Sequence, residues 1–203
     1  MGAIRILLNP FFLDYEYNLP NFPSDPFGFT TADRLYWGKI SLNYLVNDQG
    51  ISYLRDLKFA DNTPFYNERE LSHMSDVKNL IQTSLKIGYG AIVVLLLFWF
   101  WSWRKKWSGT FWRGVARGGL LTIGLIVAVL IGVATNFDAL FRGFHAIFFK
   151  GNTWLFYTND SLIRLFPEKL WSDAFLFMGI FSITGAIVLG FLGLRLSLRK
   201  NNS

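Results

Sequence analysis

The sequence contains no cysteine and only two histidines among its 203 residues. The absence of cysteine excludes a disulfide, a thiolate nucleophile and a thiolate metal site. The two histidines are His73 and His145, and histidine is the one side chain whose unperturbed pKa lies close to neutral pH. Because the chain has so few of them, we hypothesise that this pair forms an acid–base site.

Charge is missing from three long stretches of the chain. Residues 87–103, 118–137 and 174–194 contain no Asp, Glu, Lys or Arg, and about twenty apolar residues cross a bilayer as a helix. The first stretch is short, but Lys86 can extend its ammonium group to the interface, which lengthens that span to 85–103. We therefore predict an all-α integral membrane protein, a helix bundle with these three clear transmembrane helices.

The positive charges are concentrated beside the charge-free stretches. The net charge is +6, and basic residues crowd the loop 104–117 and the tail 195–203. The positive-inside rule predicts that both are cytoplasmic, which leaves residues 9–84 and 138–173 on the extracytoplasmic side with one histidine each. No nucleic-acid partner is predicted, because a nucleic-acid groove needs basic residues along a soluble surface.

The long extracytoplasmic segment must be reached from the cytoplasm by an earlier span. Only residues 1–8 precede it, and these are too few to cross a bilayer. We infer that residues 1–8 are the remnant of a fourth, N-terminal span that is truncated or misassigned. The alternative is that the chain starts outside, or that its first residues are an artefact.

The segment 9–84 is predicted to be mainly helical. Thr31 can cap a helix that continues to about Val46. Asn67 can cap a second helix that runs through the rest of the segment into the first transmembrane helix. Residues 51–59 are compatible with either a helix or a strand.

His73 falls on the helix that begins near Asn67. Positions three or four apart share a face of a helix, so its neighbours there are Arg69, Glu70 and Asp76. A carboxylate at Glu70 or Asp76 could hold the imidazole in one tautomer and stabilise its protonated form. The alternative is a solvated helical face on which His73 has no special role.

His145 falls on a second predicted helix, 137–148, in which apolar residues including Phe141 and Phe144 recur at helical spacing. The polar positions form a narrow stripe: Asp138, Arg142 and His145. Such a helix is expected to lie in the membrane interface with its phenylalanines in lipid. The alternative is an ordinary amphipathic anchor whose polar face only meets water.

The loop that follows this helix offers two further candidates. Asn152 could donate a hydrogen bond to a developing oxyanion, although many loop asparagines only form turns. Trp154 could contact substrate or anchor the chain at the interface. The two histidines with Glu70 or Asp76 could in principle bind zinc. No metal site is predicted, because the sequence has no third histidine.

Several segments together resemble one protein family. They are residues 67–78 (NERELSHMSDVK), 144–145 (FH), 159–173 with its LFPE core, 8–12 (LNPFF) and 14–17 (DYEY). They resemble the bacterial lipoprotein intramolecular transacylase (Lit) family, over roughly residues 8–175. The departure from the family pattern is the missing N-terminal span.

The resemblance implies a four-span enzyme of the cytoplasmic membrane of low-GC Gram-positive bacteria. Its partners would be lipoproteins whose N-terminal cysteine carries a diacylglyceryl group, within the membrane phospholipid. The family moves the sn-2 acyl chain to the α-amine of the same cysteine and gives a lyso-form lipoprotein, and its two essential histidines match His73 and His145. No cofactor is expected, because transfer of an acyl group from an ester to an amine runs downhill.

The remaining candidates are assigned supporting roles on that interpretation. Expected to orient the histidines or to stabilise the oxyanion are Arg69, Glu70, Asp76, Arg142 and Asn152. Expected to bind the substrate are Phe141, Phe144 and Trp154. The alternatives are a metal-dependent membrane hydrolase that uses the same histidines and a non-catalytic membrane scaffold.

Overall fold

A computed structural model describes residues 2–199 of the chain. Eight α-helices and no strand lie within these residues, with one isolated bridge between Lys58 and Pro64. The helices are α1 (Gly2–Leu7), α2 (Pro10–Tyr17), α3 (Thr31–Val46), α4 (Ser52–Arg55), α5 (Glu68–Arg104), α6 (Ser108–Phe148), α7 (Ser161–Leu165) and α8 (Glu168–Arg199). The predicted all-α fold is confirmed.

Three of these helices are long and apolar enough to cross a membrane, namely α5, α6 and α8. Each contains one of the three charge-free stretches, so the three predicted spans are confirmed as helices of spanning length. The segment 1–8 is represented by α1, a helix of six residues in which Ala3 is buried.

The described chain divides into two compact units. We call residues 86–137 and 175–199 the membrane unit. We call residues 2–85 and 138–174 the histidine unit, because it contains both histidines.

In the membrane unit, α6 and α8 approach each other closely through small residues. A Cβ atom added to Gly119 would lie 2.9 Å from the carbonyl oxygen of Ala186, and one added to Gly193 would lie 2.7 Å from that of Trp112. Glycine therefore allows the backbones to meet, as small residues do between membrane helices. Large apolar side chains such as Leu120 are exposed, as expected for surfaces that face lipid.

The histidine unit has a conventional buried core. Its most deeply buried large residues come from α2, α4, the loop before α5, and α7: Leu13, Leu54, Phe65 and Leu165. The hydroxyl of Tyr17 in α2 donates a hydrogen bond to the carbonyl oxygen of Leu165 in α7. The core thus joins the N-terminal part of the unit to the segment that precedes α8.

Capping side chains set the helix starts in this unit. Thr30 caps α3: its hydroxyl accepts from the N–H of Asp33 at 3.1 Å, and the Asp33 carboxylate accepts from the N–H of Thr30 at 2.9 Å. The prediction of Thr31 as the cap was therefore wrong by one residue, since the carboxylate completes a capping box only with Thr30. The predicted cap Asn67 is confirmed, because its side-chain oxygen accepts from the N–H of Glu70 at 3.0 Å.

Lys78 connects α5 to the end of α3. Its Nζ donates to the side-chain oxygen of Asn47 at 3.1 Å and to the carbonyl oxygen of Gln49 at 2.6 Å, and lies 4.1 Å from the ring centre of Tyr44. A cation near the C-terminal end of a helix stabilises that end. The contact fixes α3 against the part of α5 that carries His73.

The long helix α6 contains one break. Asn136 has φ −159° and ψ 81°, which is not helical, so the helix is kinked at the end of its apolar stretch. Residues 137–148 form the separate short helix that the sequence predicts, and this second part carries His145. Ile147 and Phe148 on it are exposed.

Candidate active site

The two histidines lie side by side in the histidine unit. Their ring centres are 5.8 Å apart and the ring planes are inclined by only 21°. His73 from α5 is 6% exposed and His145 from the second part of α6 is 8% exposed. Two residues 72 positions apart in the sequence thus form one buried pair.

Aromatic side chains surround this pair. Phe149 lies against both rings, with centres 4.8 Å from His73 and 5.2 Å from His145. Phe156 packs on His73 at 5.2 Å, and Phe141 and Trp154 pack on His145 at 4.1 and 5.1 Å. Such an enclosure has little water, so electrostatic interactions inside it are stronger than in solution.

The tautomer of His145 follows from the hydrogen bond of its Nδ1. Nδ1 lies 2.8 Å from the carbonyl oxygen of Phe141, one helical turn earlier. A carbonyl oxygen only accepts, so Nδ1 carries the hydrogen. Nε2 of the neutral ring therefore keeps its lone pair and is the basic nitrogen.

His73 has a different environment. Its Nδ1 is buried, and no group in the described part of the chain forms a hydrogen bond with it. Burial, and then the proximity of His145, lowers the pKa of His73 to about 4. Burial also lowers the pKa of His145, partly opposed by the hydrogen bond to Phe141. Both imidazoles are consequently neutral at pH 7.

The interpretation of Glu70 and Asp76 as imidazole partners is not supported. The Glu70 carboxylate accepts from the N–H of Asn67 at 2.8 Å and from that of Leu162 at 2.7 Å, and Asp76 is exposed. Glu70 is three residues before His73 and shares a helix face with it. However, the backbone N–H groups at the starts of α5 and α7 have no acceptor within their own helices, and the Glu70 oxygens accept from them instead. Burial raises the pKa of Glu70 in spite of these bonds.

The comparisons with known proteins agree with this architecture. The model of the family "Lipoprotein intramolecular transacylase Lit" matches residues 1–171. The chain belongs to the Lit family. A solved in meso structure of the membrane integral Lit from Bacillus cereus is similar to it with a TM-score of 0.81 and 22% identity, over 98% of this chain and 88% of that one. An uncharacterized protein of Aquifex aeolicus (strain VF5) is 29% identical over 192 residues, 95% of this chain and 86% of the relative.

One residue near the pair in this Lit family member was not singled out from the sequence. The carboxylate of Asp160 accepts hydrogen bonds from Asn67 Nδ2 and Arg69 Nη2, both at 3.0 Å, and from the N–H of Tyr157 at 2.8 Å. The guanidinium of Arg69 also lies over the ring of Phe156 at 5.8 Å. Asp160 therefore holds the loop that carries Phe156 against the start of α5. Two signals pointed to it: it lies in the stretch 159–173 that resembles the family, and it directly precedes a short helix, a position that is common for aspartate.

Of the remaining candidates, the structure brings only the aromatic ones to the histidines. Phe144 lies 5.7 Å from the ring of its neighbour His145. Arg142 is exposed and forms an ion pair with Asp138 at 2.6 Å, and Asn152 is exposed. The predicted polar stripe of the helix 137–148 is thus divided, since His145 is buried while Arg142 faces outward.

The described residues offer no ligand set for a metal ion. Within residues 2–199, no three His, Cys, Asp or Glu side chains converge closely enough to hold one. The carboxylates predicted as possible third ligands, Glu70 and Asp76, are engaged with backbone N–H groups or exposed. The metal-dependent hydrolase therefore lacks support from the geometry of this Lit family member.

Proposed function

We propose that this Lit family member is an intramolecular transacylase of bacterial lipoproteins. It moves the sn-2 acyl chain of the S-diacylglyceryl group to the α-amine of the same N-terminal cysteine, at the extracytoplasmic face of the cytoplasmic membrane. The observation that carries the proposal is the buried pair of imidazoles, 5.8 Å apart, in a chain of this family.

The reaction needs little beyond orientation and proton transfer. Donor and acceptor belong to one molecule, so holding them in a reactive geometry can remove several kcal/mol of the barrier, about 7 or more in well-oriented cases. The α-ammonium has a pKa of about 8 in water. An aromatic enclosure favours the neutral amine, which is the nucleophile, because burial disfavours the charged form.

His145 is the general base on this proposal. The amine nitrogen forms a C–N bond to the acyl carbon while the C–O bond to the glycerol oxygen breaks. Nε2 of His145 accepts the proton of the attacking nitrogen and returns it to the departing glycerol oxygen, so atoms and charge balance. Nδ1–H remains bound to the carbonyl oxygen of Phe141, which holds the ring in the required tautomer.

His73 supplies a neutral imidazole beside that proton transfer. Its low pKa keeps it from trapping the proton. A neutral imidazole can still donate a hydrogen bond to an oxygen that gains charge, and we assign this role to His73 at the glycerol oxygen.

The experiment is tandem mass spectrometry of the N-terminal peptide of a diacylated lipoprotein co-expressed with the chain. Transfer within one molecule leaves the mass unchanged, so fragment ions must locate the acyl group. We expect N-acyl cysteine with a monoacylglyceryl thioether for the wild type and for the exposed control Asp76→Ala. His73→Ala and His145→Ala should give neither ion while inserting normally.

Other outcomes would identify other functions. Loss of one acyl chain with the amine still free would indicate a hydrolase. An unchanged diacylglyceryl peptide from properly inserted wild-type protein would indicate a scaffold. Activity close to that of the wild type in both histidine variants would overturn the assignment of the site.

A further inference from the structure

The indole of Trp154 has a donor without an acceptor. Its Nε1 is buried and has no hydrogen-bond partner among the described residues, although an indole N–H can only donate. Buried indole N–H groups normally find a partner. Trp171 in the same unit shows the ordinary case, since its Nε1 donates to the carbonyl oxygen of Phe166 at 3.0 Å.

The unpaired donor lies beside the base. The ring of Trp154 packs on His145 with centres 5.1 Å apart and planes inclined by 37°. Arg69 Nε is likewise buried without an acceptor in the described part of the chain, but its guanidinium packs on Phe156 and Tyr157. Trp154 is therefore the donor that contacts the reacting imidazole directly.

The loop around Trp154 is held in place on both sides. Gly151 has φ +67°, a backbone conformation that glycine adopts without strain, and the N–H of Leu155 donates to the carbonyl oxygen of Asn152 at 3.1 Å. Further along, Asp160 accepts from the N–H of Tyr157. These features constrain the backbone of the loop that carries the indole.

We propose that Trp154 Nε1–H donates a hydrogen bond to the carbonyl oxygen of the sn-2 acyl group and keeps it as that oxygen becomes negative. This inference rests on the proposed transacylase function. The base must lie next to the nitrogen that attacks the acyl carbon, so the carbonyl oxygen lies within the same enclosure. No Lys or Arg is among the causes that shift the pKa of either imidazole, so we assign the oxyanion to a neutral N–H group beside His145.

The first test compares two tryptophan variants in proteoliposomes with a synthetic diacylglyceryl lipopeptide. Trp154→Phe keeps an aromatic ring against His145 and removes the donor. We expect its kcat to fall by about 100-fold with KM changed less than about threefold, in the range seen when one oxyanion donor is lost. Trp171→Phe loses only a bond within the protein, so it should lower the melting temperature and leave kcat within about twofold.

A second measurement tests the hydrogen bond without turnover. Two probes are compared. The ester probe is the same lipopeptide with its α-amine acetylated, so that it cannot accept the acyl group. The ether analogue has an sn-2 ether and therefore lacks the carbonyl. In ¹⁵N-indole spectra of the wild type, assigned by the signal missing in Trp154→Phe, the ester probe should shift the Trp154 proton downfield and the ether analogue should not.

The outcomes separate this inference from the function on which it rests. Wild-type protein that transfers no acyl group contradicts the proposed function. Normal wild-type transfer with Trp154→Phe within twofold of it, or equal indole shifts from the ester and ether probes, would overturn the role of Trp154.

Discussion

Nδ1 of His145 lies 2.8 Å from the carbonyl oxygen of Phe141, whereas Nδ1 of its neighbour His73 is buried without a partner among residues 2–199. A backbone carbonyl thus takes the orienting role that a carboxylate often plays beside a catalytic imidazole. The two rings lie in one enclosure but differ in hydrogen bonding and in proton affinity. That difference is the reason for assigning them different roles.

The first prediction concerns the pH dependence of kcat. Burial lowers the pKa of His145 below its ordinary value of 6.5, so more than half of the base is neutral at pH 6.5. The bound amine accounts for at most a tenfold fall per pH unit below about pH 8. We expect the slope of log kcat against pH to stay below two down to pH 6.5 and to reach two only at lower pH. A slope of two above pH 6.5 would contradict the assignment.

The second prediction concerns stability in acid. The pKa of His73 is about 4 when folded and 6.5 in the unfolded reference, so the unfolded state binds the proton first as the pH falls. The free energy of unfolding should therefore decrease between pH 6.5 and pH 4, by roughly 3 kcal/mol from this residue. His73→Gln should lose this decrease. The difference in melting temperature between the wild type and His73→Gln should therefore change between pH 6.5 and pH 4. A constant difference would show that His73 is not held neutral.

The third prediction concerns a carboxylate outside the site. Burial and the negative charge of Asp173 raise the pKa of Glu16 to about 7, partly opposed by Lys169. The folded state then holds the proton more tightly than the unfolded state, so stability falls as the pH rises from 4.5 to 7. Glu16→Gln should raise the melting temperature at pH 8 and leave it unchanged at pH 4.

The matched control for Glu16 is Asp14→Asn in the same helix. Asp14 is half-exposed and pairs with Lys39 at 2.7 Å, so its substitution should have little effect at either pH. An equal rise in melting temperature for Glu16→Gln at pH 8 and at pH 4 would show that packing, and not ionisation, is responsible.

The fourth prediction compares the two glutamates in the first turn of α5. Glu70→Ala leaves the N–H groups of Asn67 and Leu162 without their acceptor, which should cost about 2–4 kcal/mol. Glu68 is 79% exposed and pairs with Arg55 at 3.0 Å, so Glu68→Ala should cost less than about 1 kcal/mol. Urea unfolding in detergent measures both. Equal losses in the free energy of unfolding would indicate that the hydrogen bonds of Glu70 stabilise the fold no more than a surface ion pair does.

Much of the fold could be predicted because it depends on local patterns. Charge-free stretches gave the three long helices, and Asn67 marked the start of α5, since capping involves residues only three apart. The scarcity of histidine singled out His73 and His145, and the resemblance to a family supported that choice. Their contact could not be derived from spacing alone, because it depends on packing between residues distant in the chain.

The polar residues of the site were harder to predict for the same reason. Glu70 accepts a hydrogen bond from Leu162, 92 positions away, and Asp160 accepts one from Arg69, 91 positions away. Helical periodicity relates only near neighbours, so it predicted the wrong partner for Glu70 and none for Asp160. Arg142 forms an exposed ion pair with Asp138, four residues earlier in the same helix. This contact directs the guanidinium away from the oxyanion role that the sequence predicted for Arg142. Trp154 was identified only as an aromatic candidate, since an unpaired indole N–H is visible only in three dimensions.

The most direct test of the central claim is a crossover experiment with two diacylglyceryl lipopeptides of different peptide mass. One carries a ¹³C-labelled sn-2 chain and the other an unlabelled one, and both are incubated together with the protein in proteoliposomes. Intramolecular transfer at the histidine pair predicts labelled N-acyl cysteine only on the first peptide, and no N-acylation with His145→Ala. Label on the second peptide, labelled free fatty acid with both amines free, or full activity of His145→Ala would contradict it.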